Sequence, residues 1–131
     1  MFTLDNIARF REEIKFYKLS APVELLNLTD AELLAICNGW GPDSWPRQLR
    51  KALTKLAGAY AVLHVPHDVR YEFKLGGREV ADREFYDNAL RIWRVRWGWQ
   101  RWIRPAAIAE RAKLYLCYRA LAAFSREAWE K

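Results

Sequence analysis

The sequence predicts an all-α fold in one domain spanning residues 1–131. Apolar residues recur at helical spacing along most of the chain, and the breaks between those stretches are short. Strand signals are nearly absent. Hydrophobic residues make up 52% of the chain against only 6 glycines and 5 prolines, which suits one compact core with little disorder.

The first expected helix is Leu4 to Lys18, where Leu4, Ile7, Ala8, Phe10, Ile14 and Tyr17 gather roughly on one face. A turn at Ser20-Ala21-Pro22 follows. Thr29 then opens a second helix, because Thr29-Asp30-Ala31-Glu32 has capping-box spacing ahead of an apolar run through Ile36. The segment from Asn38 to Pro46 holds two glycines and two prolines and is expected to break that helix. Arg47 to Leu56 reads as helix again, ended or bent at Gly58. Tyr60 to Val65 fits either a short strand or a buried helix. Pro66 suits the first turn of the next helix, where its missing N–H costs nothing, and this places His67 and Asp68 near the helix start. Gly76-Gly77 marks a turn before a long helical region from about Val80, interrupted at Gly98. A last helix is expected from Pro105 to Trp129.

Two cysteines eighty positions apart, Cys37 and Cys117, are too sparse for the framework of a small secreted domain, so two free thiols are expected, with one long-range disulfide as the alternative. The N-terminal stretch is charged throughout and lacks the apolar run of a signal peptide, and no segment approaches the ~18 apolar residues of a membrane span. The expectation is synthesis in a reducing cytosol. The net charge of +6 favours phosphate-bearing partners, either nucleic acid or anionic lipid.

Three features carry chemistry. A glycine-rich stretch, Cys37-Asn38-Gly39-Trp40-Gly41-Pro42, precedes His67-Asp68-Val69-Arg70-Tyr71, and Asp82-Arg83-Glu84-Phe85-Tyr86-Asp87-Asn88 comes last. Neighbours on a helix project about 100° apart, so His67 and Asp68 can serve different partners, while Tyr71, four and three residues on, can lie beside either of them. An imidazole acting as a base needs an acceptor to orient its other nitrogen. Asp82 is the nearest candidate, with Asp87 as the alternative. A loop with two close glycines can turn carbonyl oxygens inward, which hard calcium ions accept. His64 adds a second imidazole, but no cysteine or third histidine completes a zinc set.

His-Asp-x-x-Tyr behind a Gly-x-Gly loop resembles the phospholipase A2 superfamily. The stretch Asn38-Gly39-Trp40-Gly41-Pro42 is similar to the Asn-Gly-Cys-Gly loop of the group XII enzymes and to the Tyr-Leu-Gly-Pro-Gly loop of the parvovirus capsid branch. Asp82-x-x-Phe85-Tyr86 resembles the second catalytic helix of the bacterial and fungal branch. The likeness covers about residues 37–90 and lacks the cysteines that usually bracket the histidine. It implies two antiparallel catalytic helices with flanking helices, calcium as cofactor, and hydrolysis of the sn-2 ester of glycerophospholipids at a membrane surface. It implies His67 as general base, Asp82 holding the imidazole, and Tyr71 bonded to Asp82. Asp68 would bind calcium together with the carbonyls of Cys37, Gly39 and Gly41. One carboxylate and three carbonyls imply weak affinity, roughly 10⁻⁴ to 10⁻³ M, so such an enzyme would work outside the producing cell, in a virion, a lysis system or an injected effector.

The stretch Arg91 to Arg104 holds four tryptophans and five arginines with no acid. Trp93 and Trp97 share a face with Tyr86 and Leu90 and are expected in the core. Trp99 and Trp102, with Arg101 and Arg104, lie past the Gly98 break and are the membrane-interface candidates. The same mixture suits single-stranded nucleic acid. Beside the hydrolase stand two alternatives: a non-catalytic virion, assembly or membrane-binding protein of the same fold, and a basic nucleic-acid-binding helical domain.

Overall fold

The computed structural model describes residues 2–40, 47 and 58–130, and among them there are six α-helices and no strand. Helix α1 (Leu4–Tyr17) starts at Thr3, whose hydroxyl accepts from the Asn6 amide while the Asn6 side chain accepts from the Thr3 N–H. Its Ile7 and Phe10 face the core. Helix α2 (Asp30–Gly39) carries the expected capping box between Thr29 and Glu32, at 3.0 and 3.1 Å.

The sequence reading ends α2 before Asn38, and the structure corrects this. The helix continues through Gly39, and the Trp40 N–H closes it on the Ile36 carbonyl. Side-chain ties explain the extension. Asn38 accepts from the Phe2 N–H at 2.9 Å, and the Trp40 indole donates to Glu72 at 2.9 Å while its ring meets Tyr71 edge-on. Cys37 and Gly39 therefore occupy a final helical turn and not a loop. Gly41 and the expected helix from Arg47 to Leu56 lie outside the described residues, save Arg47 itself, which is helical.

Tyr60 to Val65 resolves as helix: a 3₁₀ stretch, Gly58–Leu63, runs into α3 (His64–Phe73), with Pro66 in the first turn. A tight turn reverses the chain into α4 (Arg78–Trp97), setting α3 and α4 against each other. Lys74 takes a left-handed conformation and Leu75 N–H returns to the Arg70 carbonyl at 2.9 Å, closing α3. Gly76 is held at φ 78°, and a Cβ there would stand 3.2 Å from the Arg70 guanidinium.

The α3–α4 pair is fixed from one side by a partly buried polar cluster. Arg70 makes two bonds to Glu84, at 2.9 and 2.8 Å, and Glu84 also accepts from the Ser20 hydroxyl at 2.8 Å. Asn88 pairs with both backbone groups of Ser20, tying the segment after α1 to α4. A 3₁₀ elbow, Gly98–Trp102, leads into α5 (Pro105–Phe124), which packs along α4. The buried Trp93 donates its indole N–H to the Ala107 carbonyl, and the half-buried Trp97 donates to Glu110. The expected last helix is divided at Ser125, and α6 (Arg126–Trp129) follows. Cys37 and Cys117 are both buried, and no disulfide joins them. Among the described residues no helix is long and apolar enough to cross a membrane.

Candidate functional site

His67 and Asp82 meet across the α3–α4 pair. Imidazole Nε2 lies 2.9 Å from Asp82 Oδ1, fifteen residues away in sequence. A carboxylate can only accept when ionised, so this contact selects the tautomer with the proton on Nε2. The Tyr71 hydroxyl, one helical turn beyond His67, donates to the same Oδ1 at 2.7 Å. Asp87 does not take part, because it faces outward and pairs with Arg83 at 3.1 Å.

The carboxylate's other oxygen is occupied as well. The Ser125 hydroxyl, at the α5–α6 junction, donates to Asp82 Oδ2 at 2.8 Å, and Arg78 donates to Ser125 Oγ at 3.3 Å. Three helical segments thus converge on one buried carboxylate that accepts three hydrogen bonds. Phe85, one turn after Asp82, stands edge-on to the His67 ring at 5.4 Å, and Trp129 stands edge-on to Tyr71 at 5.0 Å. Sequence reasoning missed Ser125 and Trp129 as members of this site, and it placed Phe85 in a motif without giving it a part beside His67. Phe85 could have been found from its i+3 relation to Asp82, whereas no local pattern marks Ser125 or Trp129.

Electrostatics follow from burial. Desolvation pulls the His67 imidazole down, but the carboxylates of Asp68 and Asp82 outweigh it and raise its pKa. Burial, followed by the Asp82 charge, pushes the Tyr71 phenol far up, so it remains a donor. His64 behaves oppositely. It lies between Phe2 and Phe85, and desolvation, helped by His67, holds it down to about 4, hence neutral.

Asp68 is the unusual member. His67 is 2% exposed and Asp68 0%, yet neither Asp68 carboxylate oxygen takes a hydrogen bond from a described residue. Among the described residues its ion-pair partner is His67 Nδ1, at 3.7 Å beyond hydrogen-bond reach. A bare buried carboxylate costs several kcal/mol unless it binds a proton or a cation. Burial accordingly raises Asp68 to about 7. Its charge is felt at Cys37 on α2, where burial and then Asp68 push the thiol up, so the end of α2 lies on the Asp68 side of the site.

Of the expected calcium set, the structure brings Asp68 beside the last turn of α2, which holds Cys37 and Gly39. Carbonyls of a last helical turn point out along the axis. Among the described residues no group of three or more His, Cys, Asp or Glu side chains forms a metal cluster. A site of one carboxylate plus main-chain oxygens is of a different kind, and the orphaned Asp68 carboxylate fits a hard cation.

The membrane-interface candidates stand at the other end of α4. Trp99 and Trp102 are 70% and 66% exposed, Arg104 is exposed, and Arg101 lies over the Trp102 ring. No family model, no curated protein and no solved structure matches the chain.

Proposed function

We propose that the chain is a calcium-dependent hydrolase of phospholipase A2 type, cleaving the sn-2 ester of glycerophospholipids at a membrane surface. The observation that supports it is the placement of two carboxylates on either side of one imidazole. Asp82 receives Nε2–H, and Asp68 lies toward Nδ1.

In the tautomer that Asp82 selects, Nδ1 is the basic nitrogen. His67 would take a proton there from the attacking water and later return it to the leaving alkoxide. Asp82 holds the ring in place and favours the imidazolium that forms, while Tyr71 and Ser125 hold Asp82 through both of its oxygens. Asp68 would hold calcium, with the Cys37, Gly39 and Gly41 carbonyls as its expected co-ligands. Bound there, the ion would polarise the ester carbonyl and stabilise the developing oxyanion.

One observation favours a second reading. The His67–Asp82–Tyr71–Ser125 network is buried and knits three helical segments together, as a polar core does in a non-catalytic protein of the same fold. Fatty-acid release from mixed phospholipid vesicles at about 5 mM calcium, an excess over a site of this kind, separates the two readings. The hydrolase reading expects release that disappears in His67→Ala and with excess chelator. Wild-type protein that binds calcium yet releases nothing from any lipid supports the second reading and overturns the first.

A further inference from the structure

The elbow between α4 and α5 combines features that the hydrolytic centre does not use. Trp99, Trp102 and Ile103 all stand largely exposed, the last at 63%, and Ile108 is exposed one turn into α5. Ile103 and Ile108 occupy the two positions of a hydrophobic staple around the Arg104 N-cap. A staple explains why both are apolar. It does not explain why each leaves more than half its surface in solvent. Behind the elbow, Arg91, Arg94 and Val95 form an exposed stripe at helical spacing along α4, leading to Gly98. Arg101 and Arg104 continue the positive charge, and no acid lies between Asp87 and Glu110. Among the described residues, the arginine of the region with an acidic partner is Arg96, which pairs with Glu110 at 3.3 Å. The start of α5 adds the positive end of a helix dipole to the same corner.

From this charge and shape we infer that the Gly98–Arg104 elbow docks the protein onto anionic phospholipid bilayers. Indoles favour the headgroup region, arginines meet lipid phosphates, and isoleucines enter the acyl boundary. The isoleucines are what favour lipid over single-stranded nucleic acid. Bases stack on flat aromatic faces, and a protruding branched aliphatic side chain gives them none. The surface is also separate from the site. Asp82 and Trp97 are fifteen residues apart on one continuous helix, about 22 Å along its axis. Docking is therefore a property of the elbow and of the Arg91–Arg94 stripe behind it, and it stands whether or not His67 hydrolyses an ester.

The test is co-sedimentation of the full chain with vesicles of phosphatidylcholine containing phosphatidylglycerol, in excess chelator so that hydrolysis is silent. Binding to these vesicles should exceed binding to pure phosphatidylcholine by at least tenfold and weaken with salt. Trp99→Gln with Trp102→Gln should lower partitioning about tenfold, since both indoles lose their interfacial position. Arg91→Glu and Arg94→Glu should each lower it about fivefold or more, near 1 kcal/mol for each basic charge at an anionic surface. His67→Ala should bind as wild type does. These side chains are exposed, so helical circular dichroism should be unchanged in every elbow variant. Equal partitioning of the tryptophan variant and wild type would overturn the inference. So would absence of vesicle binding, with or without salt-sensitive retention of a single-stranded oligonucleotide; the retention would move the surface to nucleic acid.

Discussion

Ser125 and Asp82, forty-three residues apart, are joined by a 2.8 Å hydrogen bond that fills the one carboxylate oxygen left over by His67 and Tyr71. The bond links the α5–α6 junction to the α3–α4 pair, so a serine far from the His-Asp motif governs the acceptor on which that motif depends.

Ser125→Ala leaves Asp82 Oδ2 buried with one bond fewer. A loss of about 1–3 kcal/mol is expected, the cost of an unmet buried acceptor. Urea denaturation measures it. A change within experimental error would mean that the hydroxyl has no part in holding Asp82.

Tyr71 and Ser125 act on the same carboxylate, so their removals should not add. The Tyr71→Phe, Ser125→Ala double-mutant cycle is expected to show coupling of about 0.5–3 kcal/mol. Asp82→Asn should lower any fatty-acid release about 100-fold or more through the misplaced imidazole, while Asp87→Asn should leave it within about twofold. Asp87 pairs only with the exposed Arg83 in the described structure. Equal effects of the two substitutions would count against the pairing as a device of catalysis.

Asp68 makes stability depend on pH in a stated sense. Its folded pKa of about 7 lies above the ordinary 3.8, with burial as the main cause. The favourable contribution is therefore complete below about pH 4 and is lost as pH rises through about 7. His67 is also raised, so its contribution is present below 6.5 and is lost as pH passes its folded value. In chelator, Tm should fall as pH rises from about 4 through about 7, from these two groups. Calcium binds the ionised carboxylate, so the Tm gain with about 5 mM calcium should grow with pH across the upper half of that range. Asp68→Asn should flatten most of the pH dependence and remove the calcium effect. A calcium effect that persists in Asp68→Asn would place the ion elsewhere.

The Arg70–Glu84 pair is a structural prediction independent of chemistry. Removing one partner leaves the other charge largely buried, and Arg70→Ala should destabilise by about 3–5 kcal/mol. Thermal unfolding followed by circular dichroism reads this directly. A loss under about 1 kcal/mol would show that Glu84 finds adequate donors in Ser20 and solvent.

The helical architecture was legible because helix signals are local. The Thr29–Glu32 box, the proline ahead of His67 and the glycines at 76 and 77 each act within a few residues. The site was half legible for the same reason. His67, Tyr71 and Asp82 sit on two adjacent helices joined by a short turn, so spacing alone could bring them together. The end of α2 is not legible locally, because tertiary ties outweigh its glycine- and proline-rich composition. Asn38 and Trp40 are anchored to Phe2, Glu72 and Tyr71, partners that no window around Gly39 contains. Ser125 was invisible on similar grounds, since a serine inside an apolar helical pattern reads as a tolerated polar residue until its partner is seen.

The turn at Lys74 to Gly77 has a consequence for how the site assembles in time. His67 and Asp82 close a fifteen-residue loop, whereas Ser125 and Asp82 close one of forty-three. Chain entropy makes the longer closure costlier by about 0.9 kcal/mol, and two more helical elements must already be in place for it. The α3–α4 hairpin can thus form its histidine–carboxylate contact early, while the serine arrives as a late clasp. A substitution at Ser125 would then be felt mainly in the unfolding rate, leaving the folding rate close to that of the wild type.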